Sequence, residues 1–304
     1  MRMLQEVLLF GSAICGLLTA GCRDDLQMAD VVFRAECTIR SVQDSDGSWG
    51  GVRTTALAVM AYMSNDVTLR SFEFRQSMVA AAEWLIKKTE SDEIKPDDMP
   101  IVANALCELY DLLPNPNLRF AALKCLSSVV RSQQPNGMWK DMLTTGWAAL
   151  ALNTARRLEL RVPDDEEWMN KIPFELIAAD GPDGAVATYL QMLLSRKGGK
   201  RLCVAQGFGD WGFDCGSADA DFFAARVLRC QAFAPCDDSA DVEKLLRVFR
   251  CRIERVKREM LPRMRMLSEG GRSPEDVERL CLAVMQVSWP SCRFPRPDHQ
   301  GGKR

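Results

Sequence analysis

The stretch from Gln43 to Met63, QDSDGSWGGVRTTALAVMAYM, returns ninety positions later as QQPNGMWKDMLTTGWAALALN. The two align without a gap, Gln43 on Gln133, Gly47 on Gly137 and Trp49 on Trp139. A repeat of this kind constrains the fold more than any composition can, because each copy must build the same supersecondary unit. Each copy is a turn followed by an Ala-rich helix. Weaker copies start at Lys95, Asp180 and Gly270, and a third strong one at Gln206. Charged, amphipathic helices lie between them. No period-2 alternation long enough for a strand is present, so the fold class is all-α. Helices apolar nearly all round must be buried on most sides, whereas the charged ones need one wet face. Six inner and six outer helices closing into a ring leave no terminal repeat open. The expectation is an (α/α)6 toroid, a barrel of six helical hairpins.

The turn residues have structural roles. Gly47 and Gly137 suit a reversal that needs positive φ. Thr54 or Thr55, and Thr144 or Thr145, are expected as N-caps of the inner helices. Trp49 and Trp139 wedge between hairpins, and Gln43 and Gln133 bond orphan backbone groups at helix ends.

The N-terminus reads differently. An early Arg2 and an apolar run from Val7 to Ala20 fit a signal peptide over residues 1–21. The ending LTAGC resembles the lipobox of bacterial lipoproteins. That resemblance implies acylation of Cys22 and a protein exported and lipid-anchored to the bacterial cell envelope, facing the periplasm. The expected organisation is a signal peptide, one domain over residues 22–290, and a disordered tail over 291–304. Twelve cysteines leave room for one or two disulfides beyond residue 200, while Cys107 and Cys125 read as small hydrophobes on helix faces. The single histidine, His299, and the absence of any CxxC pair speak against zinc, and no cofactor or metal is implied. A formal net charge of −2 gives no electrostatic reason to expect nucleic acid as a partner.

The spacing Gln-x-x-x-Gly-x-Trp, with a one-residue-shorter copy at Gln206, Gly209 and Trp211, resembles the QW repeat of the prenyltransferase and squalene cyclase superfamily. The resemblance implies the toroid fold of terpenoid cyclase and prenyltransferase type. It does not extend to the zinc-binding protein prenyltransferases, because the interior has no histidine. Nor does it extend to the thioester domains, because the bonding Gln is missing. In the alkene-protonating terpene cyclases the motif is Asp-x-Asp-Asp. Here Asp219-Ala220-Asp221 matches three positions and Phe222 replaces the fourth. The resemblance would make Asp221 the general acid, with Asp219 as its neighbouring carboxyl. The same two residues also read as N-caps of an inner helix.

The leading expectation of function is an envelope-tethered binding or scaffold protein. It would hold an apolar, isoprenoid-like ligand or a protein partner, with Trp147, Tyr62 and Phe222 lining the ligand cavity. The alternative is a terpene-cyclase-like enzyme using Asp221. A third reading draws on other (α/α) toroids, among them polysaccharide lyases and hydrolases, for which Asp97-Asp98 and the run Asp164-Asp165-Glu166-Glu167 offer carboxylates.

Overall fold

The computed structural model describes residues 22–64, 71–162, 168–172, 182–197, 217–232, 260–269 and 273–287, together with 255, 256 and 258. The signal peptide, the third turn copy at Gln206–Trp211, the acidic run at 164–167 and the tail lie outside the described residues. The helices are α1 (Cys22–Ser41), α2 (Val52–Met63), α3 (Phe72–Glu90), α4 (Met99–Leu112), α5 (Pro116–Arg131), α6 (Met142–Arg157), a short α7 (Trp168–Lys171), α8 (Pro182–Lys197), α9 (Ala218–Ala232) and α10 (Pro274–Val287). A further helical stretch covers 260–268. Among the described residues there is no strand.

Six of these helices form a closed inner ring. α2 packs on α4, α4 on α6, α6 on α8, α8 on α9, α9 on α10, and α10 back on α2. The fold is the expected all-α (α/α)6 toroid. The inner helices are buried on every side, as their Ala-rich text requires. Every residue of α2 from Thr54 to Tyr62 is buried, and so is every residue of α4 from Pro100 to Cys107. The outer helices bury one stripe. In α5 this is Leu118, Ala121, Ala122, Cys125, Leu126 and Val129, the spacing of one helical face.

The repeated turn builds the same network twice. Gln43 Nε2 donates to Gly47 O at 2.9 Å and to Ser77 O at 3.0 Å. Gln133 Nε2 donates to Gly137 O at 2.8 Å and to Trp168 O at 3.1 Å. Each Gln therefore stitches its own turn to the following outer element. Trp49 Nε1 donates to Ile39 O and Trp139 Nε1 to Val129 O, closing each turn on the helix before it. Both indoles are 2% exposed, so each buries on the order of 200 Å². Gly47 and Gly137 take φ of +93° and +81°. A Cβ would lie 2.6 Å from Ala80 O at Gly47 and 1.6 Å from Lys171 O at Gly137. Glycine is thus required both by φ and by the close approach of the next hairpin.

The expected threonine caps are corrected. α2 starts at Gly51 with no side-chain cap, and α6 is capped by Asp141, which accepts from Thr144 N at 2.7 Å. Thr55 Oγ1 instead accepts from Trp49 N and donates to Gly51 O, and Thr145 repeats this with Trp139 N and Asp141 O. A buried hydroxyl that can donate and accept at once serves the turn better than the helix end.

Candidate functional site

The inner helices all run the same way through the ring, so their first turns meet at one rim. Arg53, the second residue of α2, is the centre of what gathers there. Its Nη2 stands 2.6 Å from Asp219 Oδ1 on α9, and its Nε stands 3.2 Å from Glu278 Oε2 on α10. Thr54 Oγ1 donates to the other Glu278 oxygen at 2.7 Å. Trp147 Nε1, from α6, donates to Asp219 Oδ1 at 2.9 Å. The Trp147 ring lies flat on Phe222, with centroids 4.9 Å apart and planes 7° apart. This stack forms an apolar layer beneath the charges. The Arg53, Asp219 and Glu278 side chains are 27%, 19% and 23% exposed, so the cluster is reachable from water. Asp98, at the start of α4, completes it.

The electrostatics separate the acids. Burial works against the charge of Arg53, but Asp219 and Glu278 outweigh it and push the guanidinium pKa up. Burial pushes the Asp98 carboxyl up, with Asp97 adding to the effect and Arg53 and Lys95 opposing it. Its neighbour Asp97 turns to solvent and pairs with Lys140. Two carboxylates thus pair directly with the guanidinium, and the third, Asp98, feels it only through space while burial favours its neutral form. Converging helix N-termini add positive potential that favours acids here.

The sequence-expected residues divide between places. Asp219, Trp147 and Phe222 are brought together at the rim, the two rings 2% and 3% exposed. Asp221 is directed elsewhere, with Oδ2 3.5 Å from Arg255 Nη2. Neither aspartate caps α9, because Ser217 Oγ does so by accepting from Ala220 N. Tyr62 stands apart at the far end of α2, its ring edge-on to Trp49 and Phe74. The side chain of Cys22 is outside the described residues. Arg53 and Glu278 were missed. The signal for Arg53 is a departure in the repeat, for the matching position of the second copy is Leu143. Among the described residues no group of three or more His, Cys, Asp or Glu could hold a metal ion.

A second polar group closes the opposite end of the ring. Arg157 at the end of α6 pairs with Glu108 and Asp111 of α4, each at 3.1 Å. Burial pushes the Glu108 carboxyl up despite Arg157.

No protein-family description matches the chain, and no curated protein matches it by sequence. Two solved structures do resemble it. One is the GH76A alpha-1,6-mannanase from Salegentibacter sp. HEL1_6, with a TM-score of 0.59 and 11% identity, covering 85% of this chain and 98% of that one. The other is an inactive variant of that enzyme in complex with alpha-1,6-mannotriose, with a TM-score of 0.57, 10% identity and the same coverage. At this identity the likeness establishes the fold. It also corrects the reading by resemblance. The neighbours are glycoside hydrolases, not prenyltransferases or squalene cyclases, so the assignment to that superfamily and to a terpenoid-cyclase toroid is withdrawn. The apolar-ligand scaffold and the terpene-cyclase alternative are overturned with it. The Gln-Gly-Trp turn is a device for closing hairpins into a ring, and such a device is silent about chemistry.

Proposed function

We propose that the chain is a carbohydrate-active enzyme, a hydrolase of an α-mannan-like polysaccharide, working at the rim where the inner helices begin. The observation that carries this reading is the unequal set of carboxyls around Arg53. Glycoside hydrolysis needs one acid that keeps its proton and one carboxylate that stays charged. Asp98, pushed up by burial, suits the acid that protonates the leaving oxygen. Asp219 and Glu278, paired with Arg53, suit the charged partner that acts on the sugar carbon directly or through water. The neighbours are named as α-1,6-mannanases, and the inactive one carries two adjacent aspartates changed to asparagine. Asp97-Asp98 is an adjacent pair in this chain, at the same rim. Anchoring through Cys22 remains part of the proposal, since a polymer too large to enter a cell is met at its surface.

The test is release of reducing oligosaccharides from α-1,6-linked mannan, with other α- and β-linked glycans in parallel, read by mass spectrometry. The expected result is cleavage of the mannan, reduced about a hundredfold or more in Asp98→Asn, in line with the typical contribution of a general acid. A folded protein that cleaves none of the glycans, or an Asp98→Asn protein as active as the parent, would overturn the reading.

A further inference from the structure

The two ends of the ring differ in kind. Each outer helix begins where an inner helix has just ended, so the first turns of α3 and α5 lie at the end opposite the carboxylates. Phe72 opens α3 and is 71% exposed, and Phe120 stands in the first turns of α5 and is 65% exposed. No other large hydrophobic among the described residues is as exposed as these two. Each has an exposed arginine beside it, Arg75 and Arg119, both at the fourth position of their helices. Helix N-termini disfavour cations, so the helix dipole does not account for these arginines. Exposed aromatic rings flanked by basic residues are the pattern of an anionic membrane interface.

The chain outside the described residues leads to the same end. α1 is an outer helix, and it finishes at the rim turn. Tyr62, one residue from the end of α2, reaches Glu36 O at 3.5 Å. The part of α1 before Glu36 therefore runs toward this end. On that half of α1 lies a third exposed ring, Phe33, at 41%. Immediately before α1 comes the uncharged, mostly apolar run from Val7 to Ala20. A lipid on Cys22, as proposed above, would be attached at this end.

We propose that this end of the ring docks on an anionic lipid bilayer, so that the carboxylate rim faces away from the membrane. Phe72 and Phe120 enter the headgroup layer while Arg75 and Arg119 meet lipid phosphates. The proposal is independent of the reaction at the rim.

The test is amide hydrogen exchange on the full chain, alone and bound to vesicles of phosphatidylcholine with about one third phosphatidylglycerol. The expected result is several-fold slower exchange over 72–75 and 117–120 on the vesicles, with 95–98 and 137–141 unchanged. That protection should be lost in the Arg75→Glu, Arg119→Glu double variant while the chain stays on the vesicles. Failure to bind, binding without protection at these turns, or equal protection at the rim would each overturn the proposal. So would protection that appears without vesicles and grows with protein concentration, which would mean that a second copy covers this face.

Discussion

Arg53 and Asp219 meet at 2.6 Å across the rim, one from the first inner helix and the other from the fifth. The pair is 166 residues apart in the chain, and Glu278, on the other side of Arg53, is 225 residues from it. Removing the guanidinium leaves two half-buried carboxylates facing each other. Arg53→Gln should therefore destabilise the protein by about 1–3 kcal/mol at neutral pH, between the range for exposed pairs and that for buried ones. Urea unfolding of the variant and the parent at neutral pH reads this.

Asp98 has a linked signature. Burial raises its folded-state pKa above the ordinary value of 3.8, so folding binds the proton. Its contribution to stability is fully present below the unfolded value and is lost as the pH rises through the folded one. Asp98→Asn should consequently be at least as stable as the parent at neutral pH, with any gain vanishing in acid. Activity should move the other way, falling in the variant. In the parent, activity should decline on the alkaline side as Asp98 loses its proton. Unfolding curves and a pH–rate profile on the same preparations separate this outcome from a simple structural role.

Substituting the turn glycines should cost more than any surface change. Gly137→Ala forces a side chain into the left-handed region and against the Lys171 carbonyl, and the cost should be about 3 kcal/mol or more. Gly47→Ala meets Ala80 O at a less extreme distance and should cost less. Denaturation midpoints of the two single variants check the order.

The buried thiols should be inert. Burial pushes Cys125 up to about 11, and pushes Cys107 and Cys281 well above the ordinary range. All three are buried and unpaired to another sulfur. Iodoacetamide at mildly alkaline pH should leave these three unmodified in the native protein and label them after unfolding, as peptide mapping would report.

The fold was legible because the turn spells out its own contacts. Gln43, Gly47 and Trp49 make local bonds that recur at Gln133, Gly137 and Trp139, and a periodic text of such bonds leaves few shapes open. Thr55 and Thr145 bond the turn instead of capping the helix, since a hydroxyl in the first turn of a helix looks like a cap until the loop bends back on it. The site was harder to read. Its members come from five hairpins and meet only through ring closure, and Glu278 lies in a weak copy. Arg53 was written in the open as a cation where the second copy has Leu143. Asp219 was noticed for a motif that belongs to a different chemistry. The misreading of family has the same root, for a turn that closes hairpins is demanded by the shape and is shared wherever the shape is.

The contact of α10 with α2 sets the order of events in the making of this protein. A linear stack of hairpins can consolidate from its first repeats while the rest is still being synthesised. Here Glu278, in the last inner helix, must reach Arg53 and Thr54 in the first. Contacts of such long sequence separation form late and slowly. A chain stopped before residue 274 keeps every hairpin turn described above and still lacks a finished rim. Completion of the site thus waits for the sixth inner helix, and a copy interrupted before it is unable to present the assembled set of acids.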